Sequence, residues 1–327
     1  MVVAEVATVR AGLLPPPLIS PWEDAYASER PMYRKMTWKL FLLLVPVLAF
    51  YAVFIIIPII DSVRTSFVSW DGLKKAVPVG LHNWIVQLGS AELYQSFGLT
   101  LIVMVLSWVV QTPLSLSIGL FLSRSGRGRS TLSVFYFAPL LFSAAALGIA
   151  WGFILNPNFG LAQAVLANVF GFKGTLNLLG DPKVVLYTLI GIIAWEFIPF
   201  HTLLYQSAAR GIPASLYEAA DLDGASPAQK LRYVTIPQLK NTVITSTVII
   251  LTGSLTYFDI VYILTDGGPG NASRVLAMDM YQKAFEQYQL GMGATIAVIL
   301  TIVGLALSLL LVRTTGFGRM RSQMEGA

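Results

Sequence analysis

The sequence predicts an all-α integral membrane protein with six transmembrane helices, both termini cytoplasmic, and a two-helix cytoplasmic loop. Three observations carry this expectation. The chain of 327 residues is 55% hydrophobic and only 12% charged, about half the charge of a soluble domain. Six apolar runs, 40–60, 97–122, 132–155, 184–204, 242–264 and 290–312, each reach the roughly 20 residues that a spanning helix needs. The Lys and Arg residues between the runs alternate between rich and poor segments, as the positive-inside rule requires.

The runs are apolar on all sides, so they read as helices rather than the alternating strands of a barrel. A helix also satisfies its own backbone within lipid. Residues 1–38 form a polar cytoplasmic arm in which Pro15, Pro16 and Pro17 interrupt any regular helix. After Ser20 the arm is either a short surface helix or a loose tail. No cleavable signal peptide is expected. Run 40–60 follows Arg34, Lys35 and Lys39 and reads as an uncleaved start-transfer helix.

Counting Lys and Arg fixes the orientation. The N-terminal arm, loop 123–131, loop 205–241 and the C-terminal end hold 15 of them, and the opposite loops hold seven. The six-helix membrane domain then spans 39–315, with a cytoplasmic tail at 316–327. The net charge of +5 follows from this topology. No basic patch with interleaved aromatics accompanies it, so nucleic acid is not an expected partner. The chain has no cysteine and only His82 and His201. Disulfides, thiolate metal sites and histidine clusters are therefore excluded, and no metal site is expected.

Loop 211–238 contains "EAADLDGASPAQKLRYVTIP" at 218–237. Ser215 and Glu218 have the spacing of a capping box. Leu216, Ala219 and Ala220 then form a small apolar face. Gly224 is placed to close this helix in the left-handed conformation. Ser226, Pro227 and Gln229 start a second helix with another capping box, and Pro237 stops or bends it. Two helices this short are marginal alone. Glu218 either caps its own helix or contacts a partner.

This segment resembles the EAA loop of the permease subunits of binding-protein-dependent ABC importers. Glu218, Ala219, Ala220, Asp223, Gly224, Ala225 and Pro237 match the family pattern, and its aromatic position falls at Leu231 or Tyr233. "GLHNW" at 80–84 and "FDIVYILTDGGPGNAS" at 258–273 resemble elements of the sugar-importer subgroup of the maltose and glycerol-phosphate type. The resemblance covers roughly residues 40–315. It implies a permease subunit in the bacterial or archaeal cytoplasmic membrane that forms half of a pathway for a sugar, oligosaccharide or related solute. It also implies a second related permease, two ATPase subunits that dock on the EAA loop and an extracytoplasmic binding protein. No cofactor is expected on this chain, which lacks G-x-x-x-x-G-K-[ST]; ATP and Mg belong to the ATPases. The outward loops, with Trp70, Trp84, Tyr94 and the GGP turn, are expected near the surface where the binding protein docks.

Glu196 and Asp259 are the two carboxylates inside apolar runs, where an ionisable group usually faces a cavity or partner. Pro199 is expected to disrupt the helix beside Glu196. The expected substrate pathway is Trp195, Glu196, Phe197, Phe200, Ser254, Tyr257 and Asp259, because aromatic faces suit sugar rings. Asp259 alternatively braces the GGP loop. A rival reading is a secondary transporter that uses Glu196 as a proton site. A membrane enzyme lacks any convergent catalytic set, so no catalytic residue is expected.

Overall fold

In the computed structural model, residues 38–315 are described except 125 and 172. The expectations for the arm before residue 38 and for the tail 316–327 lie outside the described residues. The chain divides into two units, Met1–Pro58 and Ile59–Ala327. Within the first, α1 (Trp38–Tyr51) carries Pro46 in its interior and leads into a π-helical turn, Ala52–Ile56. Helix α2 (Ile57–Thr65) continues the chain.

Among the described residues, the regular structure of the second unit is helical apart from one short ribbon. Strands β1 (Val68–Ser69) and β2 (Val77–Pro78) pair antiparallel, with Val68 opposite Pro78. Then follow α3 (His82–Leu88), α4 (Ala91–Ser123), α5 (Arg127–Tyr136), α6 (Ala144–Ile154), α7 (Leu161–Phe170) and α8 (Val185–Arg210). The rest comprises α9 (Ala214–Leu222), α10 (Pro227–Gln238), α11 (Lys240–Gly253), α12 (Asp259–Thr265), α13 (Leu276–Tyr281) and α14 (Leu290–Thr315).

Among the described residues, four helices are long and apolar enough to cross a membrane: Leu44–Thr65, α4, α8 and α14. A bent pair, α10 with Lys240–Thr256, makes a fifth candidate, its halves inclined by 63°. Two of the six apolar runs are not single helices. Run 132–155 is interrupted after α5 by a 3₁₀ turn, Ala138–Leu141, and restarts at Ser143, whose Oγ accepts from Ala146 N. Pro139 lacks the N–H that would continue α5. Run 242–264 breaks at Tyr257, whose backbone is extended. Just before it, Ser254 Oγ donates to Ile250 O and Thr256 Oγ1 to Gly253 O. Such side-chain bonds compete with the backbone ladder and bend helices. Hydropathy registers none of this, because the residues at both breaks are apolar or uncharged.

Pro199, by contrast, does not break α8. The helix runs from Val185 to Arg210 through it, since packed neighbours make an internal proline tolerable at membrane depth.

Helices α4 and α8 form the centre. The buried face of α4 carries Ser96, Thr100, Val103, Ser107, Gln111, Ser115 and Gly119 at intervals of three or four residues. Small residues at a membrane helix interface let backbones approach closely. At Gly119 a Cβ would meet Tyr205 Cβ at 2.8 Å and Thr202 O at 3.0 Å, so no larger residue fits there. On α8, Leu189, Ile193 and Tyr205 are fully buried. His201 Nδ1 is hydrogen-bonded to Ser246 Oγ at 2.9 Å, which ties α8 to α11.

The "GLHNW" element is a clasp at the start of α3. Asn83 Nδ2 donates to Ser66 O (3.0 Å) and Val68 O (2.9 Å), and Trp84 Nε1 donates to Ser66 Oγ (3.1 Å). Trp70 and Tyr94 stay exposed near it.

Candidate functional site: a midchain cavity and a braced two-helix loop

A cavity of about 460 Å³ opens between α8, α11 and the two broken runs. Glu196, Phe197, Phe200 and His201 line it from α8, Gly253 and Ile249 from α11, and Thr256, Tyr257, Phe258 and Asp259 from the break. Leu140 and Ala144 contribute from the other break. Interrupted backbone therefore meets the cavity from two sides, the arrangement by which non-helical segments are accommodated at membrane depth. Glu196 is buried. Phe197 and Tyr257 stack at 5.5 Å between ring centroids, giving the wall an aromatic face.

The structure brings Glu196, Phe197, Phe200, Tyr257 and Asp259 to this one cavity. It does not bring Trp195 or Ser254. Trp195 sits one position round the helix, packs edge-on against Trp151 at 5.4 Å and lines a separate apolar cavity of about 330 Å³ with Tyr136, Pro139 and Pro199. Ser254 is buried and bonded to Ile250 O. Asp259 starts α12, lines the cavity and, among the described residues, forms no hydrogen bond to the GGP turn. Sequence reasoning missed Phe258, Thr256 and His201. The i, i+4 spacing of Phe197 and His201 was the available signal.

The GGP turn holds itself. Ser273 Oγ donates to Gly268 O at 2.6 Å and is bonded to Thr265 Oγ1 at 2.8 Å. Gln282 Nε2 donates to Asp266 O at 3.0 Å.

The two-helix loop forms as expected at its elbow and differently at its start. Gly224 has φ +71°. Its N–H donates to Asp221 O (3.0 Å) and the Ala225 N–H to Ala220 O (2.9 Å), the two bonds of a Schellman closure. Asp223 is the C-cap. Ser226 and Gln229 form the capping box, with Ser226 N donating to Gln229 Oε1 at 2.7 Å and Pro227 in the first turn. The expected box between Ser215 and Glu218 is absent. The N-cap is Pro213, so Ser215 already lies inside α9 and has no free first-turn N–H to accept from. Glu218 is exposed and caps nothing.

Two contacts brace α9 against α10. Lys230 Nζ pairs with Asp221, and the Tyr217 hydroxyl is bonded to Thr235 Oγ1 at 3.0 Å. A π-helical turn, Leu231–Thr235, shifts the register of α10. Leu231 thereby lines a cavity with Tyr217, Leu120 and Arg124, whereas Tyr233 points away and is 68% exposed. Leu222, 91% exposed, lies at the elbow. Pro237 precedes the bend into α11.

Among the described residues no group of three His, Cys, Asp or Glu could hold a metal ion. Residues 98–316 match the family described as "Binding-protein-dependent transport system inner membrane component". A probable ABC transporter permease of Bacillus subtilis is 32% identical over 83% of this chain and 93% of its own length. The trehalose/maltose transport system permease of Thermococcus litoralis is 29% identical over 85% of this chain and 94% of its own. In fold the chain is similar to a chain of a bacterial ABC transporter that imports the acidic polysaccharide alginate. That match has a TM-score of 0.76 at 19% identity, covering 92% of this chain and 99% of the other. The long apolar helices, the cavity they enclose and the braced loop are thus those of a multi-pass inner-membrane protein, and the chain belongs to the binding-protein-dependent transport system inner membrane component family.

Proposed function

We propose that this chain is the permease subunit of an ABC importer for a sugar, oligosaccharide or related solute. The carrying observation is the braced loop. It is attached to the end of α8 on one side and through a 63° bend to α11 on the other. Those two helices wall the cavity that holds Glu196. A rigid element linked to both walls can convert a push into a tilt, the kind of discrete change alternating access requires.

In this reading the six apolar runs all cross the membrane, the two broken ones as interrupted spans, with both termini cytoplasmic. The arm, the membrane domain 39–315 and the tail keep the limits the sequence sets. Glu218, Ala219, Ala220, Asp223, Gly224, Ala225, Leu231, Tyr233 and Pro237 form the ATPase-facing loop, and exposed Glu218, Leu222 and Tyr233 make the contact. The partners are two ATPase subunits that bind ATP and Mg, a second related permease and an extracytoplasmic binding protein. The carbohydrate assignment is supported by a relative named for trehalose and maltose transport and another for diacetylchitobiose uptake. Family membership weighs against a proton-coupled carrier built on Glu196.

The test is reconstitution. The chain, coexpressed with its ATPase, second permease and binding protein, is placed in liposomes, and uptake of labelled maltose, trehalose and chitobiose is followed. ATP-dependent uptake of one of them is expected. Uptake by the chain alone without ATP, or uptake stopped by a protonophore and indifferent to ATP, overturns the proposal.

A further inference from the structure

A polar cavity of about 440 Å³ lies where β1, the start of α3 and the segment leading into α14 meet. Trp70, Asp71, His82, Asn83, Tyr288 and Gln289 line it. It is far from the two-helix loop. Helix α4 starts just beyond α3 and ends 33 residues later beside Arg210, where the loop is attached. A helix of that length spans about 50 Å.

Tyr288 has φ +54°. Among the described residues, two other non-glycine residues share the left-handed region, Asp266 and Asn271, whose short polar side chains make it accessible. A bulky residue there is an outlier. The local cause is a helix end. Helix α13 runs on through a π-helical turn, Gln282–Glu286. The Gln287 N–H then donates to Gln282 O at 2.8 Å and the Gln289 N–H to Lys283 O at 2.9 Å. Such an ending favours glycine at the left-handed position between them. Tyrosine stands there instead and is 64% exposed, so packing within the chain does not offset the strain. The cavity floor is fixed without its ring. A Cβ on Gly291 would collide with Val68 O, and the Leu290 N–H donates to Trp70 O at 3.0 Å. Strain that the chain's own packing leaves unexplained points to a contact made outside it.

The cavity's chemistry defines that contact. Trp70 Nε1 donates to Lys74 O at 2.9 Å, which fixes the indole at the rim. Asp71 Oδ1 accepts from the Lys74 N–H (2.8 Å) and the Leu73 N–H (3.0 Å). These backbone donors hold the Asp71 carboxyl below its ordinary 3.8, so it is ionised at neutral pH. Asp71 Oδ2 lies 3.7 Å from Lys74 Nζ, and that lysine side chain is 88% exposed. A long, solvated pair of this kind gives way readily to a closer cation. Two aromatic rings and a carboxylate around one hollow suit a guanidinium, which is flat, permanently charged, and able to stack on rings while bonding a carboxylate.

We propose that the cavity rimmed by Trp70, Asp71 and Tyr288 is a docking socket for an arginine side chain projecting from the extracytoplasmic binding protein. This rests on the importer reading, which places this end of α4 on the outer side, and adds to it the residue chemistry of the contact.

The experiment uses the full reconstituted complex, with its own binding protein as the probe. The binding-protein concentration that gives half-maximal ATPase stimulation is measured at low and high salt. Asp71→Asn keeps the acceptor for the two N–H groups and removes only the charge. Tyr288→Gly removes the ring and relieves the backbone, and Tyr288→Phe keeps the ring. The expected half-saturating concentration rises about five-fold in Asp71→Asn at low salt and converges with wild type at high salt. It rises about five-fold in Tyr288→Gly, whose melting temperature stays level or increases, and Tyr288→Phe matches wild type. Binding protein with its arginines blocked by cyclohexanedione, and its solute affinity retained, shows the same shift on wild type and no further shift on Asp71→Asn. Acetylating its lysines has no such effect. A lower melting temperature in Tyr288→Gly shows that the ring packs the chain and overturns the proposal. A salt-independent shift in Asp71→Asn, or a shift produced by lysine acetylation alone, also overturns it. If the binding protein stimulates wild type and every variant alike, the socket falls and the importer reading stands. If it stimulates no ATPase activity in wild type, the importer reading falls and the socket with it.

Discussion

Arg274 Nη2 lies 2.5 Å from Asp279 Oδ1, and both side chains are buried beneath the GGP turn. The two form a tight, buried ion pair. Burial holds the Asp279 carboxyl above its ordinary 3.8, partly offset by the Arg274 guanidinium. The native state thus holds this proton more tightly than the unfolded chain does. The stabilisation is complete below 3.8 and fades as pH rises through the raised native value. Thermal unfolding in detergent from about pH 4 upward should show this decline, and Asp279→Asn should flatten it. Equal slopes in the two proteins refute the assignment. Arg274→Met, which leaves the acid without its partner, should cost about 3–5 kcal/mol.

Gly224 sits at φ +71° and its N–H closes the Schellman turn. An L side chain there costs about 1–2 kcal/mol, so Gly224→Ala should weaken the elbow. Gly224→Pro removes the N–H and forbids the conformation. Its expected phenotype is loss of transport with ATPase activity either uncoupled or unassembled. Measured transport per ATP equal to that of wild type would rule out a mechanical role for the elbow.

Glu196→Gln keeps the shape of the cavity wall and removes its charge. It should change substrate KM or selectivity several-fold while the complex still copurifies with its ATPase. Unchanged kinetics for every transported solute would remove Glu196 from the pathway.

Asn83→Leu deletes the donor to Val68 O and leaves Ser66 O with only the 3.5 Å bond from Thr295 Oγ1. Buried groups left unsatisfied cost about 1–3 kcal/mol each. The melting temperature of the purified protein should fall, with ATPase association retained. An unchanged melting temperature would show that the clasp is not structural.

Much of this was legible in the sequence because it depends on local rules. Ser226, Pro227, Gln229 and Gly224 specify a cap, a start and an elbow within a few residues, and the structure has all of them. The Ser215–Glu218 box failed on an equally local competitor, Pro213, which takes the N-cap position. Glu196, Phe197, Phe200, Tyr257 and Asp259 stand out as charge and aromatics in apolar runs, and they do meet at one cavity. Trp195 stood out equally but faces the other way, and facing is decided by how α8 packs rather than by residue type. The breaks at 137–143 and 254–258 were hidden for a different reason: hydropathy measures affinity for lipid and not continuity of the helix.

The missing side chain at Gly119 has a mechanical consequence. It lets α4 and α8 touch along their backbones, and near the same end Gln206 and Arg210 reach across to the Leu122 carbonyl at 3.1 Å and 3.2 Å. Helices α4 and α8 therefore behave as a laminated beam rather than two rods. Torque delivered at Arg210 cannot rotate α8 within the bundle without carrying α4 along, so one glycine on α4 sets the size of the part that moves.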